Sequence, residues 1–431
     1  MKNIEISQNS SSGHGGAVPE AGAKAPGEPG PATTSATIGV ADGLGNYNPE
    51  QFCCEEDTLR QQRFRRREQS SKWLIAAARE EAGLPSYAEG VKSTDPGWIR
   101  PPRIARCHWR ASDFGVKVNL AETSYGKLAY FSNITRCQSI WSCCSCSAQI
   151  RSRRANELKI AFANILEDKS LNTGMFLTLT LRHKLSIPLS ESLSVLQSAW
   201  GYLQTTTRWR NLKKKIGVVG IIRSTEVNYS FTSGFHPHNH YWLILDRRLS
   251  TETISVIESE IAEMWINAVK KKSNNKNLIP NMKRACDIQR VTSRGFAAYI
   301  SKQQDNKDSK SERALAEEMM RFDLKQGRQV GSVTPFQLLD LTDGKRFWLE
   351  YVEATRGKRA ASYSKGLKTR LGISEPKEAT SKPKTKHFTM EPQLYDSFKH
   401  QDLVRLLEDA EYDIEEAFTA YGMKYGAITA D

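Results

Sequence analysis

Apolar positions in the middle of the chain alternate between helical and strand-like spacing. The run "GMFLTLTL" (174–181) is apolar and β-branched and predicts a buried strand. Leu189, Leu193, Leu196, Trp200 and Leu203 then recur at helical spacing. "GVVGIIRSTEV" (217–227) and "HPHNHYWLIL" (236–245) predict two further strands, joined by a turn-rich link that contains Gly234. Ile254, Ile257, Ile261, Met264 and Ala268 mark a second helix, opened by Ser250 or Thr251 as N-cap. "CDIQRV" (286–291) predicts a fourth strand, and "RGFAAYISKQ" (294–303) begins a helix. Upstream, "RSRRANELKIAFANIL" from Arg151 reads as another helix. Strand, helix, strand, strand, helix, strand is the order of a split βαβ unit. The expectation is an α+β fold with a ferredoxin-like antiparallel sheet and helices packed on one face.

The flanks read differently. Residues 1–55 are mostly Gly, Ala, Pro, Ser and Thr, which cannot bury enough apolar surface to offset their ordering entropy, so disorder is expected. Residues 56–100 form a basic segment with Arg60, Arg63, Arg65, Arg66 and Arg67 around Phe64. That cluster either tracks a phosphate backbone or is a solvated helix face. Residues 101–155 hold most of the cysteines, 156–305 the βαββαβ pattern, and 306–372 a C-terminal extension. Residues 373–390, rich in Lys, Pro and Thr, predict a linker, and 391–431 an acidic helical tail.

Charge sharpens this division. The chain of 431 residues carries +14, the tail from 391 carries −7, and the remaining 390 residues therefore carry +21. A basic body with an acidic tail points to a polyanionic partner, most often nucleic acid. The absence of an 18-residue apolar run, or of a basic start followed by an apolar stretch, predicts neither membrane span nor secretory signal. A cytoplasmic location follows as an expectation, with clustered thiols binding metal rather than forming disulfides.

Three groups of residues carry chemistry. In a strand, side chains two apart share a face, so His236, His238 and His240 line up, and two imidazoles at that spacing can grip one divalent metal. With the hairpin loop centred near residue 232, Glu226 falls opposite position 238, give or take one; one register sets the carboxylate beside the histidines and the other sends it to the far face. Tyr299 and Lys302, at i and i+3 on the predicted helix, point the same way, and a phenol beside an ammonium and a metal is an activated nucleophile. Cys143 and Cys146 form a C-x-x-C knuckle near Cys137, and four thiolates suit structural zinc. Cys107, 30 residues before Cys137, competes with Cys144 and His108 for the fourth place. Cys53, Cys54 and Cys286 look incidental, whereas Trp141, Arg151, Arg153 and Arg154 could make the knuckle part of a DNA surface.

The ordered set "FLTLTL", "HPHNH" followed by "YWLIL", and "AAYISK" resembles the three motifs of the HUH endonuclease superfamily. More closely, the chain resembles the single-tyrosine rolling-circle plasmid replication initiators, from about Cys107 to Gly372. "RCQSIWSCCSCSAQIRSRRANEL" is similar to that family's cysteine-rich segment, and "GSVTPFQLLD" with "FWLEYVEATRGKRAASYSKGLK" to the region after the tyrosine. The resemblance implies that His238 and His240 are the metal pair and that Glu226 is a third ligand. It implies Tyr299 as nucleophile, Lys302 as companion lysine, and Cys107, Cys137, Cys143 and Cys146 as the zinc set. His236 matches a preceding histidine of structural or supporting role. Asn239 departs from the pattern, because the family usually places an apolar residue there; a less buried back face of the strand is expected.

The implied reaction nicks one strand at a plasmid origin with Mg²⁺ or Mn²⁺, forms a 5′-phosphotyrosine link and leaves a 3′ hydroxyl to prime synthesis. Partners implied are origin DNA, single- and double-stranded, and a host helicase and polymerase. Gly295 and Arg294 stand where some members carry a glutamate one turn before the tyrosine, so neither supplies a base, and a second protomer is expected to make the closing cut. Two alternatives stay open: an HUH transposase or mobilisation relaxase, and a non-enzymatic zinc DNA-binding protein.

Overall fold

The computed structural model describes residues 58–85, 97–123, 126–291, 332–373 and 386–425, all within one unit spanning Tyr47–Asp431. The expectations for residues 1–55, and for the linker over 374–385, lie outside the described residues.

The central sheet follows the alternation of the sequence. It contains β3 (Asn172–Thr180), β4 (Val218–Ser230), β5 (Gly234–Leu245) and β6 (Cys286–Arg290). Between them lie α3 (Leu189–Thr205) with α4 (Thr207–Ile216), and α5 (Thr251–Lys272) with the single turn α6 (Met282–Ala285). The strands lie in the order β6-β3-β5-β4, every pairing antiparallel. Ser250 is the N-cap of α5, its side chain accepting from Thr253 N, which decides between the two residues the sequence offered. Near the start of β3 the register shifts between Asn172 and Met175. Gly174 sits there at φ 68°, and a Cβ would lie 1.9 Å from the carbonyl oxygen of Leu243, so only glycine fits.

Period-two alternation gives the sheet two apolar faces. On one, Leu177, Leu179, Tyr241 and Leu243 pack against Leu196, Trp200 and Trp209 of α3 and α4 and against Ile261 and Trp265 of α5. The other face carries Phe176, Ile222, Trp242 and Ile244, which would be exposed if helices covered one side alone. They are covered by Leu158, Phe162 and Ile165 of α2 (Cys144–Glu167) and by Leu367 and Leu371. The single-faced expectation is therefore corrected: apolar side chains of both parities require cover on both sides.

The extension over 306–372 adds strands as well as helix. β7 (Ser332–Val333) and β8 (Ala361–Tyr363) pair with β4, with α7 (Gly344–Thr355) between them and α8 (Leu367–Arg370) after. Covering part of the β4 edge satisfies backbone groups that would otherwise invite pairing with another chain.

A second sheet joins the two ends of the described chain. β1 (Val116–Thr123) pairs with β2 (Gly126–Ser132) on one side and with β9 (Lys386–Met390) on the other. Residues 386–390 thus form a strand, not the end of a linker. The Lys-, Pro- and Thr-rich stretch before them hid the alternation that buries Met390. The tail folds into α9 (Pro392–Ser397), α10 (His400–Tyr412) and α11 (Ile414–Lys424). Leu403, Val404, Leu406, Leu407, Ala410 and Ile414 pack on Val116, Val118, Leu120 and Phe131. Leu406→Ala is expected to cost ~2–5 kcal/mol in chemical unfolding, as for other buried leucines. A change below ~0.5 kcal/mol would show that the tail is not part of this core.

The basic cluster is committed to the fold. It lies on α1 (Leu59–Glu81), where Arg60 pairs with Glu411 at 2.6 Å and Arg66 with Asp340 at 2.6 Å. Arg67 is buried and donates to the carbonyl of Cys107 at 2.7 Å. Trp141 and Arg151 are likewise buried: Trp141 Nε1 donates to Lys358 O, and Arg151 Nε to Ser147 Oγ. This corrects their assignment to a DNA surface; Arg153 alone of that group is exposed. Among the described residues no helix is long and apolar enough to cross a membrane.

Candidate metal centre and cysteine cluster

The hairpin register sets Glu226 directly opposite His238 and Ser224 opposite His240, while β3 places Thr178 opposite His240 on the other side. Of the two registers open to the sequence, the chain takes the one that brings the carboxylate to the imidazoles. Glu226 Oε2 lies 3.2 Å from His240 Nε2 and 3.6 Å from His238 Nε2, so both rings aim the same nitrogen at one oxygen. All three residues are buried, at 2%, 8% and 3% exposure for Glu226, His238 and His240.

The outer nitrogens are held by the protein. His238 Nδ1 lies 3.3 Å from the carbonyl oxygen of His236, which can only accept. The ring proton therefore sits on Nδ1, and Nε2 keeps a free lone pair. His240 Nδ1 shares a 3.0 Å hydrogen bond with Thr178 Oγ1, and Phe176 stacks on the ring at 5.1 Å. Asn228 Nδ2 donates to Glu226 Oε1 at 3.1 Å, leaving Oε2 for the centre. Two imidazole nitrogens and a carboxylate oxygen, each side chain oriented by a second contact, form a donor set that fits a divalent cation.

His236 does not join the donor set. Its ring stacks on His183 at 4.1 Å, and burial beside His238 and His183 holds it well below the ordinary imidazole range. Asn239 faces away and is fully buried, accepting from Thr225 Oγ1 at 2.7 Å and donating to the Tyr241 hydroxyl at 2.9 Å. The expected looseness of the back face is corrected: amide hydrogen bonds do there what an apolar side chain would. Thr178, Asn228 and His183 escaped the sequence reading. Thr178 faces His240 only through the β3–β5 pairing, and the His183 stacking depends on a loop path. Tyr299 and Lys302 lie outside the described residues.

The cysteines form a separate buried group. Cys107, Cys137, Cys143 and Cys146 converge, with sulfur–sulfur distances of 3.6 Å for Cys107–Cys146, 3.6 Å for Cys143–Cys107 and 3.7 Å for Cys137–Cys146. A tetrahedron of sulfurs ~2.3 Å from zinc has edges of ~3.8 Å, so the cluster has the dimensions of a tetrathiolate site. Backbone amides of Ser139 and Cys146 point at the sulfurs of Cys137 and Cys143, each at 3.5 Å. Hydrogen bonds from the other three thiols pull Cys146 far below the ordinary thiol range. His108 (φ 72°) and Gln138 (φ 58°), each following a cysteine, take left-handed backbone conformations that cost non-glycine residues energy.

The rivals for the fourth place are elsewhere. Cys144 packs among Leu74, Trp141 and Leu189, and burial pushes its thiol up to about 12. The His108 ring is hydrogen-bonded to Arg136 at 2.9 Å. Cys286 is buried in β6, and burial raises its thiol as well.

Comparison with known proteins identifies relatives. The chain is 28% identical to "Protein rep" of Streptomyces lividans over 320 residues, covering 59% of this chain and 68% of that protein. It is 26% identical over 139 residues to "Neomycin resistance protein" of Streptomyces cyanogenus, covering 27% of this chain and 31% of that protein. No solved structure matches significantly. The replication-protein family model matches residues 130–401, a span that takes in the metal centre, three of the four clustered cysteines and the tail up to the start of α10. The chain belongs to the replication-protein (Rep) family.

Proposed function

We propose that this protein initiates rolling-circle replication of a plasmid by nicking one strand at the double-strand origin and later rejoining it. The observation that carries this reading is the convergence of His238 Nε2 and His240 Nε2 on Glu226 Oε2 in a chain of the replication-protein family. The strand order β6-β3-β5-β4 supports a ferredoxin-like sheet of the HUH type.

Glu226, His238 and His240 would hold Mg²⁺ or Mn²⁺, which supplies charge neutralisation at the scissile phosphate. Tyr299 is the nucleophile. Its phenolic oxygen bonds to phosphorus as the bond from phosphorus to the 3′ oxygen breaks, giving a 5′-phosphotyrosine and a free 3′ hydroxyl. The phenol proton ends on that 3′ oxygen, and the reverse attack by a 3′ hydroxyl rejoins the strand. Lys302 offsets charge on the phenolate or phosphate. Cys107, Cys137, Cys143 and Cys146 would hold structural Zn²⁺.

The protein would act in the cytoplasm with a host helicase and polymerase, and with a second copy of itself for the closing cut. The test incubates it with supercoiled plasmid carrying the origin and Mn²⁺. A nicked product with a covalent 5′ adduct mapping to Tyr299 by peptide mass spectrometry is expected, and Tyr299→Phe should abolish the adduct while DNA binding persists. Nicking by the Phe variant, or an adduct at another residue, would overturn the assignment.

A further inference from the structure

Beside the candidate metal centre, two connected segments form a basic rim. The loop after β3 carries exposed Arg182 and Lys184 on either side of His183, and α6 carries exposed Lys283 and Arg284. The rim is tied to the site face of the sheet: Thr180, the position paired with His238, donates its hydroxyl to the carbonyl of Arg284. His183 stacks on His236, two residues from His238. The loop also closes on the hairpin turn, where a Cβ on Gly234 would lie 3.0 Å from Leu185 Cα.

None of the four cations has an acidic partner among the described residues. Other arginines of the surface do pair, Arg208 with Glu260 and Glu263, and Arg110 with Asp113 and Asp396. Exposed apolar side chains accompany the free cations, Leu185 at 55% and Met282 at 47%. Cations that follow a backbone, beside apolar surface that can pack on unstacked bases, suit single-stranded nucleic acid better than a duplex, whose base faces are hidden.

We infer that Arg182, Lys184, Lys283 and Arg284 form the track that holds single-stranded DNA on the approach to Glu226, His238 and His240. The inference rests on the reading of those three residues as the reaction centre. Its function would be to hold consecutive phosphates while the scissile one sits at the centre, so it acts on strand binding and not on the chemical step.

The test is fluorescence-anisotropy titration of the full chain, in chelator-free buffer without added Mg²⁺ or Mn²⁺ so that the cysteine cluster is left intact, with labelled single-stranded and duplex oligonucleotides over a range of salt. Binding is read directly, so failure of the nicking reading leaves this measurement intact. The triple variant Arg182→Ala/Lys184→Ala/Arg284→Ala should lose ~tenfold or more in single-strand affinity near 0.15 M salt. Its salt slope should fall by ~2, because each phosphate that a cation no longer neutralises removes ~0.7 on a single strand. Arg182→Lys with Arg284→Lys should retain binding, and Arg208→Ala, which breaks a surface pair elsewhere, should change nothing. Unchanged single-strand affinity and slope in a triple variant that melts like wild type would overturn the proposal. So would a loss confined to duplex.

Discussion

Replacing both His238 and His240 by alanine is expected to lower origin nicking by on the order of 10³-fold or more, because the centre then keeps a single ligand. The fold should survive. Leu177, Leu179, Tyr241 and Leu243 build the core on one face and Phe176, Ile222, Trp242 and Ile244 on the other, and neither set includes the two imidazoles. Glu226→Gln is expected to be milder, with partial rescue at high Mn²⁺, since an amide oxygen can still face the cation without its charge. Thr178→Val keeps the shape of that residue but removes the hydroxyl that shares the 3.0 Å hydrogen bond with His240 Nδ1, and should weaken metal affinity by ~10–100-fold. Calorimetric titration with Mn²⁺ and a nicking assay on supercoiled plasmid measure the series. Wild-type nicking in EDTA, or a double variant that nicks at wild-type rate, would remove the metal from the mechanism.

How much of this was legible before the structure depends on the period of the pattern. The central strands and the helices between them were readable because their apolar residues recur at two or near 3.6 over long runs, and the order of elements constrains the sheet. The register at Glu226 was readable only to within one residue, since a turn fixes it and the sequence does not print the turn's geometry. The strand at Lys386–Met390 was not readable: it is short, follows a Lys-, Pro- and Thr-rich stretch, and gains its backbone partners from β1, some 270 residues away. The same distance hid the meaning of the basic helix, whose arginines find Asp340 and Glu411 only once the chain ends meet. Thr178 was hidden for a different reason. A threonine in an apolar strand looks like β-propensity until the strand opposite is known.

The cysteine cluster stands where these long-range interactions meet, which makes its loss the larger threat to the fold. Arg67 of α1 donates to the carbonyl of Cys107, Tyr395 of α9 donates to the carbonyl of His108 at 2.6 Å, and Cys143 caps α2. Structural zinc in small sites contributes roughly 10–16 kcal/mol of apparent binding energy, comparable with the ~5–15 kcal/mol that stabilises a whole domain. Removing one sulfur is therefore expected to loosen α1, the start of α2 and the tail together, not the knuckle alone. Purified wild-type protein should carry one zinc per chain by elemental analysis. Cys146→Ser and Cys143→Ser should each lose it and lower the melting temperature by at least ~10 °C, at ~2–4 °C per kcal/mol for a body of this size. Tryptic cleavage of Cys146→Ser under native conditions should begin at the tail, because the Tyr395 anchor goes with the cluster. Cys144→Ala provides the contrast: its thiol packs among Trp141, Leu74 and Leu189, so zinc should stay and the change should cost only a small cavity. Wild-type protein free of zinc, or a Cys144→Ala variant that loses as much zinc as Cys146→Ser, would mean that the four converging sulfurs are a packed thiol core and not a metal site.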